Sequence, residues 1–511
     1  MERERNVGVS DPRWSRRRFL GTGLGVGAFA LAGTTATGCG PSMPPGGGTP
    51  RPEWFPTSPA SSYQIAGWAA RPSVAAGEDV ALHLNGLGGN AGAPATLEVW
   101  RVGWHDGVGH ERYLEPTSVV LGPERPLRTV TDAATGLEEA LWPETVRIRT
   151  VRDGRPWPSG VYVVRLTGAD GRQSLVPVTI RDAATDATVL VVQSHLTWQA
   201  YNVYARHLYD GGSAVTFRRP YFFEASKASF GAGEYFWLEH RVVRWLERTG
   251  FRPTYIADVD LHTQPVPPSV KAIVLPGHPE YWTQPMREQL EAAMARGVGV
   301  LNLAANTMYW RGRMEPWEGG SRYVCYKTES GLPHPDDPLR ADPEQATQLY
   351  RYTGSAEQQL FGVMFDGWVD APQYVPGPSC YSYPLTCADV AHPVFAGTGI
   401  AAGEVFDGLC AGEVDARVPG YGPVPSSTVA FRAQLPFLVG NRKDPAAPVI
   451  AESVLLERPL GPVPSRVFSA GSYGWPYGLD DLGFDGYPYA FANPKIQALT
   501  AQILRWSMRE L

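Results

Sequence analysis

The chain has 511 residues, a net charge of −6, and 56 glycines and 47 prolines. That length accommodates two or three domains. The mild charge offers no basic patch for nucleic acid and no acidic tail, and the glycine and proline content argues against a helical bundle.

Ser15-Arg-Arg-Arg-Phe-Leu20 fits the twin-arginine export pattern S-R-R-x-F-L, and the weakly apolar stretch from Gly21 to Gly33 is too short for a membrane span. Ala36-Thr-Gly-Cys39 resembles a lipoprotein cleavage box with Ala36 where leucine is usual. Lipidation would use Cys39; ordinary cleavage nearby is the alternative. Residues 1–39 are thus expected to be a twin-arginine signal with a lipobox, and residues 40–60 a flexible linker rich in Pro, Gly, Ser and Thr. The protein is expected in the periplasm or on the cell surface, anchored to the membrane if Cys39 is lipidated. Twin-arginine export carries folded proteins, often with a cofactor inserted, which favours a metal.

Residues 61–184 read as short alternating runs between turn signals, such as Asp79-Val-Ala-Leu-His-Leu84, Thr96-Leu-Glu-Val-Trp-Arg101 and Val161-Tyr-Val-Val-Arg-Leu166. With no helical segment among them, they predict a β-sandwich of immunoglobulin-like size. From residue 185 to 511 strands alternate with helices. Thr188-Val-Leu-Val-Val192 is a buried strand, Phe236 to Arg248 an amphipathic helix, and Pro253-Thr-Tyr-Ile-Ala257 another strand. Ala272 to Leu275 is a strand followed by a helix capped by Thr283, and Gly297 to Leu303 is the next strand. This βαβ series predicts a doubly wound, Rossmann- or flavodoxin-like α/β domain. Trp310 to Tyr473 reads as irregular, and the last helix starts at Asn493-Pro494.

Beyond Cys39 the cysteines are Cys325, Cys380, Cys387 and Cys410. None has C-x-x-C spacing, which disfavours zinc or iron–sulfur sites. Cys380 and Cys387 could pair across a short loop or stay as buried thiols.

Each α/β strand ends in a polar cluster: Ser194-His195 with Tyr201-Asn202, then His278, Glu280 and Tyr281, then Asn306. Ligands sit at such ends in α/β sheets. His278 and Glu280, two residues apart in an extended turn, can face one side as a metal ligand with its partner or as an acid/base pair. Glu280 could instead only favour the helix N-terminus that follows. No nucleophile elbow, P-loop or G-x-G-x-x-G is present, so nucleotide chemistry is disfavoured.

Trp198-Gln-Ala-Tyr-Asn202, Gly277-His-Pro-Glu-Tyr-Trp282, Ala305-Asn306 and Val324-Cys-Tyr-Lys327 resemble the catalytic subunit of N,N-dimethylformamidase and its relatives. So do Trp100-Arg-Val-Gly-Trp104 and Trp157-Pro-Ser-Gly-Val-Tyr162 in the β-region. The resemblance spans Tyr63 to the C-terminus. It implies a mononuclear Fe(III), or as the alternative a divalent metal, held by two tyrosinates and a glutamate. Carried over by motif, the ligands are Tyr162, Tyr201 and Glu280. His278, Asn306, Lys327 and Glu413 are the residues that bind substrate or move protons. The implied activity is hydrolysis of a C–N amide bond in a small molecule, with Trp198, Trp282 and Trp310 lining an aromatic pocket. A homo-oligomer is expected; no accessory subunit is evident, although dimethylformamidase proper uses one. Pro279 replaces the acidic residue often found between the family's His and Glu. The alternative is a non-catalytic cell-envelope or carbohydrate-binding protein on the same fold. A metal-free hydrolase is a weaker rival, because no cysteine sits at a strand-to-helix elbow.

Overall fold

The structure is a computed structural model. It describes residues 52–61, 63–105, 107–182, 184–223, 229–369, 382–435, 438–439, 448–482 and 491–511. The export signal, the Cys39 box, most of the linker and Cys380 lie outside the described residues. Among the described residues no helix is long and apolar enough to cross a membrane.

The N-terminal region consists of strands. Ile65–Ala69, Asp79–Gly86 and Val146–Arg149 form one sheet. Ser73–Ala75, Gln173–Arg181, Gly160–Thr167, Pro94–His105 and Val108–Val120 form a second. Leu82, Leu84, Leu97, Val99, Leu166 and Val176 share one core between them. The larger sheet is also covered on its other face. There Trp100, Val102, Val161, Val163 and Leu175 join the core of the C-terminal region with Val242, Val243 and Trp245 of the helix His240–Arg248. A buried ion pair crosses this seam, Arg101 Nη2 to Glu247 Oε1 at 2.6 Å, and Tyr255 OH donates to the same oxygen at 2.7 Å. Breaking one partner of such a pair would strand a buried charge, so the two regions are locked in one arrangement.

The C-terminal region is not the doubly wound α/β domain that the strand–helix alternation predicts. Strands make up 38% of the described residues and helices 16%. Its centre is a nine-stranded mixed sheet. Pro253–Ala257, Val189–Gln193, Ala272–Gly277, Gly299–Ala304 and Ser465–Ser469 run parallel. Val449–Arg458, Thr428–Leu435, Ser382–Cys387 and Val405–Ala411 then continue the sheet antiparallel. The difference arises after Trp310, where the segment read as irregular supplies strands rather than crossover helices. Proline and glycine hid them. Pro384, which cannot donate to a ladder, sits in the register shift between Tyr383 and Leu385.

The local signals hold where helices do form. Thr283 Oγ1 accepts from Met286 N at 3.4 Å at the start of Gln284–Ala295, and Asn493 Oδ1 accepts from Lys495 N at 2.9 Å at the start of Pro494–Ser507. The helix expected from Phe236 opens instead as a π-turn, Tyr235–Glu239, before His240–Arg248. Both are buried on nearly every side, the arginines of the polar face, Arg241 and Arg244, included. Cys325, Cys387 and Cys410 are buried; the pairing considered for Cys387 involves Cys380, which lies outside the described residues.

Candidate active site

The parallel strands Val189–Gln193, Ala272–Gly277 and Gly299–Ala304 end near one another and deliver the site. Gly277 closes its strand at φ 77°, and a Cβ there would stand 2.8 Å from Glu239 Cγ. Glycine is the residue that fits both constraints. The following turn puts His278 and Glu280 together as the spacing predicts, with His278 Nε2 3.1 Å from Glu280 Oε2. Glu280 is fully buried. Its N–H donates to Thr197 Oγ1 at 3.1 Å and its carbonyl accepts from Trp310 N at 3.0 Å, so the backbone is fixed from two sides.

The Glu280 carboxylate accepts one phenol on each oxygen. Tyr201 OH donates to Oε2 at 2.7 Å and Tyr209 OH to Oε1 at 2.8 Å. The two hydroxyls are 2.8 Å apart and the rings stack with centroids 4.5 Å apart. Tyr201 ends the short helix His195–Ala200. Buried carboxylates anchor that helix: Leu196 N donates to Asp258 Oδ2 at 3.0 Å, and Trp198 Nε1 to Glu239 Oε1 at 3.1 Å. The chain then doubles back, Leu208 N donating to Ala200 O at 3.2 Å, which lays Tyr209 against Tyr201.

His278 lies among three carboxylates. Its Nδ1 is 3.4 Å from Glu234 Oε2 and its Nε2 is 3.3 Å from Glu413 Oε2, besides the contact with Glu280. Burial opposes charge on the ring, but Glu413, Glu234 and Glu280 outweigh it and hold the imidazole pKa well above its ordinary value. Tyr473 OH donates to Glu413 Oε2 at 2.6 Å. Burial, reinforced by Glu413, holds that phenol neutral, far above the usual tyrosine range. Lys327 Nζ donates to Tyr281 OH at 3.3 Å and lies 2.6 Å from the centroid of the Tyr209 ring.

Asn306 stands just past the third strand with φ 52°, its N–H donating to Asp415 Oδ1 at 2.8 Å. Its side-chain Nδ2 and Oδ1 are both buried without a partner. Leaving such groups unpaired is costly, and in native proteins it marks places where a ligand or water belongs. Burial raises Asp415 to about 8, with Glu413 and Glu357 adding to it against the Asn306 hydrogen bond.

Of the residues expected from sequence, Tyr201, Glu280, His278 and Glu413 meet directly. Lys327 joins through Tyr209, and Asn306 through Asp415, two residues beyond Glu413. Tyr162 does not join them. It faces the space between the two N-terminal sheets with Val164 and Leu166, donates to Pro158 O at 2.9 Å and stacks on Trp157. Strand parity explains this, since its neighbours Val161 and Val163 take the face toward the C-terminal region. The tryptophans also depart from expectation. Trp198, Trp282 and Trp310 are core residues, Trp198 donating to Glu239 and Trp282 to Pro279 O. Sequence reasoning missed Tyr209, Glu234 and Tyr473. The signal available for Tyr209 was its place in the same strand-end segment as Tyr201.

No cluster of three or more His, Cys, Asp or Glu among the described residues is placed to hold a metal. Tyr201, Tyr209 and Glu280 bring hard oxygen donors of a different kind together, with contacts of 2.7 to 2.8 Å. Adjacent ligands each about 2 Å from one ion stand about 2.8 Å apart, so the spacing fits a shared cation. Phenolate and carboxylate are the hard, anionic oxygen donors that suit Fe(III).

A family model described as N,N-dimethylformamidase beta subunit-like, C-terminal, matches residues 96–489, more than half of the chain. No curated protein matches. One solved structure, murine CEACAM1b, is 18% identical over 25% of this chain and 61% of its own, with a TM-score of 0.12. The chain thus spans about three fifths of that structure, and a likeness so slight carries no argument.

Proposed function

We propose a hydrolytic function from one premise: this chain belongs to the N,N-dimethylformamidase beta subunit-like family. The reaction proposed is metal-dependent cleavage of the C–N bond of a small amide. The observation that carries it is the meeting of Tyr201, Tyr209 and Glu280, with the buried, unpartnered carboxamide of Asn306 two residues past the end of the strand adjacent to the one that leads to Glu280.

Tyr201, Tyr209 and Glu280 would hold a mononuclear Fe(III), whose chemistry there is that of a Lewis acid. The chain's own groups supply the rest. Asn306 Nδ2 is a donor for an amide carbonyl, and its hydrogen bond strengthens as that oxygen gains charge. His278 Nε2 stands between Glu280 and Glu413, so a proton reaching the ring can pass on to Glu413, 3.3 Å away. Tyr473 orients Glu413 by its hydrogen bond. Lys327 places positive charge over the Tyr209 ring, which favours electron-rich phenolate beneath it. Tyr162 has no part in this scheme. The reading extends to location: the Ser15–Leu20 motif would deliver the enzyme to the periplasm or cell surface.

The test is amine release from formamide, N-methylformamide, N,N-dimethylformamide and acetamide by the iron-loaded protein. Turnover of at least one, lost together with the metal in Glu280→Ala, supports the proposal. Full iron occupancy in Glu280→Ala would sink the ligand assignment, and a loaded protein inert toward all four would sink the amide assignment.

A further inference from the structure

A second buried site lies at the seam between the N-terminal sheets and the helix His195–Ala200. Trp68 and Pro177 wall it on one side, and His195, Gln199, Arg219 and Tyr221 on the other. Arg219 is 1% exposed. Its Nη2 donates to Asn202 O at 3.0 Å and to Ala205 O at 3.4 Å. Its Nε and Nη1 have no acceptor, and no carboxylate among the described residues forms an ion pair with it. Trp68 Nε1, on the facing wall, is also buried without an acceptor.

A guanidinium keeps its proton even when buried. Burying one without a counter-charge is costly, and two neutral carbonyls replace only part of its hydration. Burial lowers the Arg219 pKa to about 10, opposed by Tyr204, Tyr63, Glu138 and Tyr221. The other titratable walls bring no competing charge. Burial lowers His195 to about 3, which keeps it neutral, and raises the Tyr221 phenol out of its ionising range. The cleft therefore offers one uncompensated positive charge, several unused N–H donors and an aromatic wall.

We propose that this cleft binds a small monoanion, a halide or a carboxylate of formate size, on Arg219 and Trp68. The same guanidinium holds the carbonyls of Asn202 and Ala205, in the segment that joins Tyr201 to Tyr209. The anion thus completes the support of the loop that carries both phenols. The inference does not depend on amide hydrolysis.

Crystals of the full-length protein grown in bromide test it directly. An anomalous peak within hydrogen-bonding distance of the Arg219 guanidinium is expected, and water there without anomalous signal would overturn the proposal. Added formate distinguishes the two sources: loss of the peak marks a carboxylate site, and its persistence an inorganic one. In solution, melting curves in sodium bromide and sodium formate are compared with sodium gluconate at equal ionic strength, gluconate being too large for the cleft. A saturable, anion-specific rise in melting temperature is expected, absent in Arg219→Gln. Identical curves in all three salts would refute it. If Arg219→Gln does not fold, Trp68→Phe should weaken the anion response while leaving the guanidinium in place.

Discussion

Tyr209 donates its phenol proton to Glu280 Oε1 at 2.8 Å, across 71 residues of sequence. Together with the matching bond from Tyr201 to Oε2, it defines a cluster of two phenol oxygens and one carboxylate, formed by the C-terminal region alone. The N-terminal sheets support this cluster from behind but contribute no ligand to it.

Asn306 separates chemistry from backbone strain. Its φ of 52° suits glycine, and its amide side chain has no structural partner. Asn306→Gly should therefore keep the wild-type melting temperature while lowering kcat/KM by about 100-fold, the scale of losing one oxyanion donor. Asn306→Ala should lose the same activity and about 1 kcal/mol of stability from the left-handed backbone. An Asn306→Gly enzyme with full activity would make the residue a turn former only.

Asp415 predicts a pH dependence of stability. Burial raises its pKa in the folded protein to about 8, above the ordinary carboxylate value it recovers on unfolding. The folded state then holds a proton that the unfolded chain has released. Stability from this group is complete below the unfolded pKa and is lost as pH rises through the folded one. The slope in between is up to about 1.4 kcal/mol per pH unit. Asp415→Asn mimics the protonated form and still offers an oxygen to Asn306 N–H, so its denaturation midpoint should fall less than the wild type's between pH 5 and pH 8 (on the order of that slope). Parallel midpoint curves for the two proteins would contradict the assignment.

Gly277→Ala should destabilise the protein by about 1 to 3 kcal/mol, because the methyl group meets Glu239 Cγ and the backbone lies in the left-handed region. Urea unfolding measures this as a lower midpoint with an unchanged slope. A midpoint equal to the wild type's would show that the turn before His278 is more adaptable than its geometry indicates.

Much of the site was legible because chemistry at parallel strand ends leaves a local mark. An apolar run, a glycine and then a polar cluster identify His278 and Glu280, and similar signals identify Tyr201 and Asn306. Tyr209 was not legible as a partner, since its position depends on a chain reversal after Ala200 that has no periodicity. Tyr162 misled for the opposite reason. The run Val161-Tyr-Val-Val is apolar on both faces because both faces of its sheet are covered, so no polar alternation shows which way the tyrosine points. The fold class failed beyond Trp310 on similar grounds. Short antiparallel strands interrupted by Pro384 and by turn glycines carry neither helical period nor clean alternation, while the preceding βαβ units imposed their own pattern on the expectation.

Tyr201, Tyr209 and Glu280 are the proposed metal ligands, and Tyr162 is not one. The most direct test is metal analysis with a visible absorption spectrum on the wild type and on single phenylalanine variants. About one iron per chain is expected, with a tyrosinate charge-transfer band diminished or lost in Tyr201→Phe and in Tyr209→Phe. Tyr162→Phe should keep both iron and band, and lose only about 1 kcal/mol with its hydrogen bond to Pro158. Colourless, iron-free wild-type protein after reconstitution, or a band that survives in Tyr209→Phe and vanishes in Tyr162→Phe, would contradict the account.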